Sequence, residues 1–206
     1  MDLSILFRGV VIGFSIAAPV GPIGVLCIRR TLTEGRASGL VSGLGAASAD
    51  ALYGCVAGFG LTFLSNLLIT RQTELRLAGG LFLVYLALKT FMSRPSHTTA
   101  EASGRGLLGA YLSTFVLTLT NPMTIISFAA IFAGLGLAEG SGNYASAVLL
   151  VLGVFIGSAL WWLLLSGGVG VFREKFSTGG LRWLNRLSGV VIGFFGLLAL
   201  GSFLKL

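Results

Sequence analysis

Charge is scarce in this chain. Of its 206 residues only 10% are charged, whereas charged residues make up about a quarter of a typical soluble domain. Hydrophobic residues make up 55%. No soluble globule of this size hides so much apolar surface, so the composition predicts an integral membrane protein built as one domain. Histidine is scarcer still. His97 is the only one and falls in a polar segment, which leaves a Ser–His hydrolase or a histidine-ligated metal site without its parts. Cys27 and Cys55 are the only cysteines. Both lie inside apolar runs, where a free thiol behaves as a small hydrophobe, and two cysteines make no disulfide framework. No motif calls for a cofactor.

Acids number seven against fourteen Lys and Arg, a net charge of +7. A basic balance can signal nucleic acid, but here the cations sit at the ends of apolar runs. The positive-inside rule explains them, so lipid is the expected partner and nucleic acid is not. The first apolar run lacks a basic n-region and continues through Ile28. It is longer than a signal-peptide core and reads as a retained span.

A span needs about 20 mostly apolar residues. On that basis six helices are expected, at 5–28, 37–64, 75–92, 106–137, 144–166 and 183–204. Residues 93–105 form a polar linker that contains Pro95 and His97. It separates a first three-helix half, 1–92, from a second, 106–206. An even span count puts both termini on one side. One set of loops then holds Arg29, Arg30, Arg36, Lys89, Arg94, Arg105, Arg173, Lys175, Arg182 and Arg186; the other, with the tails, holds Arg8, Arg71, Arg76 and Lys205. The richer set is placed in the cytoplasm, so both termini are expected outside or in the periplasm.

Proline is rare too, at four residues, yet three of the four interrupt apolar runs. Pro19 and Pro22 lie within Ala18-Pro-Val-Gly-Pro, and Pro122 follows Asn121 one hundred residues after Pro22. Proline lacks a backbone donor and clashes with the carbonyl four residues back. It therefore frees the carbonyls of Ser15, Ala18 and Thr118. Arg76-Leu77-x-Gly79 also answers Arg186-Leu187-x-Gly189. Halves of three spans each must run in opposite directions, which gives inverted repeats with helices 1 and 4 broken at proline. Broken helices at matching places in inverted repeats point to a binding site at the bilayer midplane, and so to a transporter. Pro22 and Pro122 suit the first position of a new helical piece. The amides of Ile23, Gly24 and Val25, and of Met123, Thr124 and Ile125, would then face the midplane and favour an anion such as a carboxylate. The plainer reading is two kinks tolerated for packing.

Asp50 is the one acid inside an expected span; Asp2, Glu34, Glu74, Glu101, Glu139 and Glu174 lie in tails or loops. A carboxylate at mid-bilayer costs at least ~2.5–3.5 kcal/mol, so Asp50 should face the bundle interior. It is expected to bind the cationic end of a substrate or to carry a coupling proton. Its plainer role is structural, hydrogen-bonded to the broken backbone of helix 1. Gly39, Gly43, Ala46, Ala47, Gly54, Ala57 and Gly58 share its helix face and make a stripe of small residues. That stripe lets another helix approach, with helix 1 the candidate. Ser15, Thr118, Thr120 and Asn121 can add neutral hydrogen bonds. Trp161, Trp162 and Trp183 read as packing or interfacial residues. Arg29 and Arg30 read as topological anchors that can also attract an anion.

In these residues the chain resembles the lysine exporter (LysE/RhtB) family of amino-acid efflux proteins. Pro19-x-Gly21-Pro22, Gly35-Arg36-x-x-Gly39, Gly43-x-Gly45-Ala46 and Asp50 carry the likeness, with Asn121-Pro122 in the second half. Val20 stands where many members have an uninterrupted Pro-Gly-Pro. The resemblance implies an inner-membrane secondary exporter of six helices in two inverted repeats, coupled to protons, with a homodimer as its suggested assembly. Together the readings predict export of an amino acid, most simply a neutral zwitterion. The expected substrate contacts are Asp50, Ser15, Pro19, Gly21, Pro22, Ile23, Gly24, Asn121, Pro122, Met123 and Thr124. Two rivals come from other classes. A cation or metal exporter would use Asp50 as ligand, a thin site with one carboxylate. A thiol–disulfide electron carrier would use Cys27 and Cys55, although buried cysteines are usually inert.

Overall fold

The fold is seen in a computed structural model that describes residues 3–19, 21–59, 70–92, 104–121, 124–125, 127–128, 144–172 and 177–204. Its helices are α1 (Leu3–Ala17), α2 (Pro22–Glu34), α3 (Arg36–Gly58), α4 (Gln72–Met92), α5 (Gly104–Leu119), α6 (Tyr144–Val171) and α7 (Thr178–Leu204). No strand occurs among the described residues. Segments Thr73–Met92, Tyr144–Val171 and Gly179–Gly201 are each long and apolar enough to cross a membrane. The pair α1 and α2 makes a fourth candidate span, bent by 82°. Against the six spans expected, the described residues hold three candidates, or four with the bent pair. The expected ends of the second and fourth helices, 60–64 and 129–137, lie outside them.

The bend between α1 and α2 has a local cause. Pro19 cannot continue α1 and biases Ala18 away from helical geometry, so the helix stops at Ala17. The last bond of α1 runs from the Ala18 amide to the Phe14 carbonyl at 3.0 Å. Gly21 then caps α2 in an extended conformation, φ −107° and ψ −165°, with Pro22 in the first turn. The new ladder opens with the Val25 amide on the Gly21 carbonyl at 3.0 Å.

Helix 1 was expected to end near Ile28, but α2 continues to Glu34. Arg29 and Arg30, expected at a loop, are 9% and 8% exposed. The Arg30 guanidinium donates to Ser42 Oγ at 2.8 Å, the Ala110 carbonyl at 3.0 Å and Ser113 Oγ at 2.8 Å. It joins α2 to α3 and α5, and these bonds replace the water that the charge would otherwise need. Gly35 then turns the chain into α3 at φ 109°, the one positive φ among the described residues. Its amide reaches back to the Arg30 carbonyl at 3.0 Å.

Packing is built on close approach. Along α1, Gly9 and Gly13 lie on the backbone of Leu150, Gly153 and Val154 in α6, while Gly153 and Gly157 receive Leu6 and Val10 in return. A side chain at any of these positions would drive the helices apart. Helix α3 packs on α5 and α6, α4 pairs with α7, and α2 sits between α3, α6 and α7. The interior is polar for a bundle core: Ser42, Asp50, Thr114, Ser158 and Asn185 are buried. Leu81, Leu88, Leu152, Ile156, Phe194 and Leu197 are exposed. Apolar residues outside and polar ones inside suit a hydrocarbon surround.

At Gly35 any residue with a Cβ meets a backbone conformation that costs about 1–3 kcal/mol. Gly35→Ala should lower stability by that order, read as an earlier unfolding midpoint of the purified protein in detergent; an unchanged midpoint would show that the turn relaxes freely.

Candidate functional site

Asp50 lies on α3 and is 3% exposed. Its Oδ2 accepts a hydrogen bond from Ser158 Oγ on α6 at 2.7 Å. Ser158 Oγ in turn accepts from Trp162 Nε1 at 3.2 Å, one turn further along α6. The indole N–H occupies a lone pair of the hydroxyl, which helps turn its proton toward the carboxylate. Neither ion pair recorded among the described residues, Arg29–Glu34 and Arg71–Glu74, involves Asp50. No group of three metal-binding side chains occurs among them.

Asp50 opens onto a cavity of about 60 Å³, room for a few waters. Its walls come from both helix interruptions. Pro19, Gly21, Pro22, Ile23 and Gly24 supply one side; Thr118, Asn121 and Thr124 supply another. Ile16, Ala17, Ala46 and Trp162 complete the lining. Pro22 carries no N–H and Val25 bonds Gly21, so Ile23 and Gly24 are left as donors for which α2 offers no acceptor.

A matching backbone bond lies one hundred residues later. Helix α5 ends at Leu119, and the Ile125 amide donates to the Asn121 carbonyl at 3.2 Å, as Val25 does to Gly21. Pro122 and Met123 lie outside the described residues. The Thr118 carbonyl, expected to be freed, accepts from the Asn121 amide at 3.2 Å. Next to it, the Leu119 carbonyl accepts from Tyr53 Oη at 2.7 Å. Tyr53 is one turn from Asp50 on α3 and stacks on Phe128 with centroids 5.2 Å apart. The buried Thr118 hydroxyl faces the cavity and has no hydrogen-bond partner among the described residues.

Other expectations fare differently. Ser15 is exposed and does not line the cavity. The buried face of α1 runs through Gly9, Ile12, Gly13 and Ala17, and Ser15 sits roughly opposite Ala17 at 100° per residue. The small-residue stripe on α3 meets mainly α6 rather than the first helix: Gly43 lies on Trp162 and Gly54 near Val154, while Gly39 faces Thr31 of α2. Of the tryptophans, Trp183 is 70% exposed, Trp161 packs edge-on against Phe14, and Trp162 is buried in the cavity wall. Ser158, Trp162 and Tyr53 were not singled out as site residues. The four-residue spacing of Ser158 and Trp162 marks a shared face, but nothing in it points to Asp50. Cys27 is wholly buried and Cys55 partly so.

A family model described as LysE type translocator matches residues 14–202. The chain belongs to the LysE type translocator family. This translocator is 29% identical over 199 residues to "Putative amino acid efflux protein YcgF" of Bacillus subtilis (strain 168), covering 94% of each chain. It is 27% identical over 174 residues to "Uncharacterized membrane protein YahN" of Escherichia coli (strain K12), covering 82% of this chain and 77% of the relative. It is also 27% identical over 179 residues to "Chemotactic transduction protein ChpE" of Pseudomonas aeruginosa, covering 85% and 87%. No solved structure gives a significant match. The family and the run of apolar helices make this translocator a multi-pass membrane protein.

Ser158→Ala would leave Asp50 Oδ2 without its recorded donor. The loss should be about 1–3 kcal/mol, measurable as a lower unfolding midpoint, and Ser158→Thr should restore most of it. No change in either variant would mean that water replaces the hydroxyl.

Proposed function

We propose that the chain is a secondary exporter that carries an amino acid out of the cytoplasm, with the Asp50 cavity as its substrate site. One observation carries the reading: both helix interruptions and the acid expected inside a span border one cavity. The Ile23 and Gly24 amides suit the substrate carboxylate, since the start of a helix favours an anion. Asp50 suits its ammonium group, or the proton that exchanges with it. The Thr118 hydroxyl can serve either end, being both donor and acceptor. With one acid in the lining among the described residues, a neutral zwitterion is matched and a second substrate cation has no partner there.

The repeat relation is part of the proposal. The paired bonds at Gly21 and Asn121 support it, and so does the packing. Helix α1 lies on α6 and α5 lies on α3, α3 meets α6, and α4 meets α7. Exchange of the two halves preserves every one of these pairings. Inverted repeats aim both new helix starts at one depth from opposite sides. The distribution of basic residues supports a cytoplasmic loop after α2 and termini outside. At about 60 Å³ the cavity has room for a few waters. Loading an amino acid requires the ends of α1 and α5 to part, as alternating access demands.

Asp50→Asn keeps shape and loses charge. In amino-acid-loaded vesicles it should abolish export driven by a pH gradient while the protein still inserts. Wild-type pH-driven export by this variant would sink the coupling role, and a panel of labelled amino acids would name the cargo.

A further inference from the structure

A second cavity, of about 430 Å³, lies at the other end of α2. It falls within the size range of small-molecule sites. Among the described residues, Arg29, Arg30 and Lys89 face it with Glu34 as the one acid, three cations against one carboxylate, an excess of two positive charges. Leu26, Phe82 and Leu86 give it apolar walls. We infer that this cavity is an anion-receiving site that takes a small carboxylate.

The charges are held for that purpose from several helices. Arg30 is fixed on α3 and α5 by its bonds to Ser42, Ala110 and Ser113. Arg29 Nε donates to Asn185 Oδ1 on α7 at 2.9 Å, and its guanidinium lies 3.3 Å from Glu34 Oε1. Glu34 is further engaged by Ser38, whose hydroxyl donates to Oε2 at 2.7 Å. Lys89 on α4 is exposed and lies 6.0 Å from the centroid of the Tyr85 ring. Neutral hydrogen bonds orient the two arginines but leave the charge excess in place. Low-dielectric walls then concentrate anions.

The two cavities lie along one helix. Gly24 borders the first and Arg30 the second, six residues or ~9 Å apart at 1.5 Å per residue. Cys27, 0% exposed, lies in the turn between, and Leu26 is itself a wall of the second cavity. That the carboxylate belongs to a cargo amino acid waiting on the cytoplasmic side rests on the proposed export function. The anion preference itself does not.

Gly109 borders this cavity with no atom near its absent Cβ, so Gly109→Cys introduces a thiol without crowding. Purified protein is treated with a sulfonate-bearing or a trimethylammonium-bearing methanethiosulfonate. Each rate is normalised to that of free mercaptoethanol, with the unaltered chain as the blank for Cys27 and Cys55. The anionic reagent should react about tenfold faster than the cationic one. Lys89→Gln or Arg29→Gln should each cut that preference several-fold. Because Lys89 is exposed, its variant folds even if the Arg29 variant does not. Millimolar acetate should slow the sulfonate reagent where chloride at equal ionic strength does not. Equal normalised rates, a preference untouched by both variants, or equal slowing by chloride would overturn the assignment. Labelling needs no transport, so a preference seen in a protein that exports no amino acid would retain the site and reject the export reading.

Discussion

A backbone that leaves helical geometry inside an apolar bundle must find partners within the protein, because hydrocarbon supplies none. That constraint organises this structure. The interruption at Ala18, Pro19 and Gly21 is covered on one side by α3, α6 and the end of α5, while Pro19 keeps an exposed face. Covering it brings together groups that the chain keeps far apart: Gly24, Asp50, Thr118 and Trp162 border one small cavity. The other interruption is met by Tyr53, whose hydroxyl takes the Leu119 carbonyl. There a polar requirement of the backbone decides which side chain stands nearby.

Cover of this kind depends on thin helix surfaces. The glycines of α1 and α6 bring those two backbones into contact, and Gly43 lets Trp162 lie directly on α3. Trp162 then reaches Ser158, and Ser158 reaches Asp50. Packing and polar satisfaction are therefore one problem here. A larger residue at position 43 would move the indole and, through it, the hydroxyl that holds the carboxylate. Helix α2 links this region to the second cavity, since one rigid element borders both.

Much of this was legible in the residues. Asp50 stood out because a carboxylate inside an apolar run is costly, and the prolines stood out because their effect on a helix is local. The α1–α2 break follows from Pro19, Gly21 and Pro22 alone. Where reasoning from local pattern fell short, the cause was distant contact. Arg29 and Arg30 read as the cytoplasmic end of a span because charge normally ends one. Bonds to Ser42, Ala110, Ser113 and Asn185, up to 156 positions away, let the helix continue through them. Ser15 read as a site residue from its closeness in sequence to Pro19, but the rotation of α1 turns it away.

The sequence by itself determined the membrane class, the helix interruption at residues 18–21 and the singular position of Asp50. Each is set by composition or by the chemistry of adjacent residues. The tertiary structure decided which groups meet: Ser158 and Trp162 at Asp50, Tyr53 at Leu119, and Arg29, Arg30 and Lys89 around a second cavity. Those meetings depend on the rotation and depth at which separate helices pack. Small-residue surfaces permit many such arrangements, and only the assembled bundle selects one.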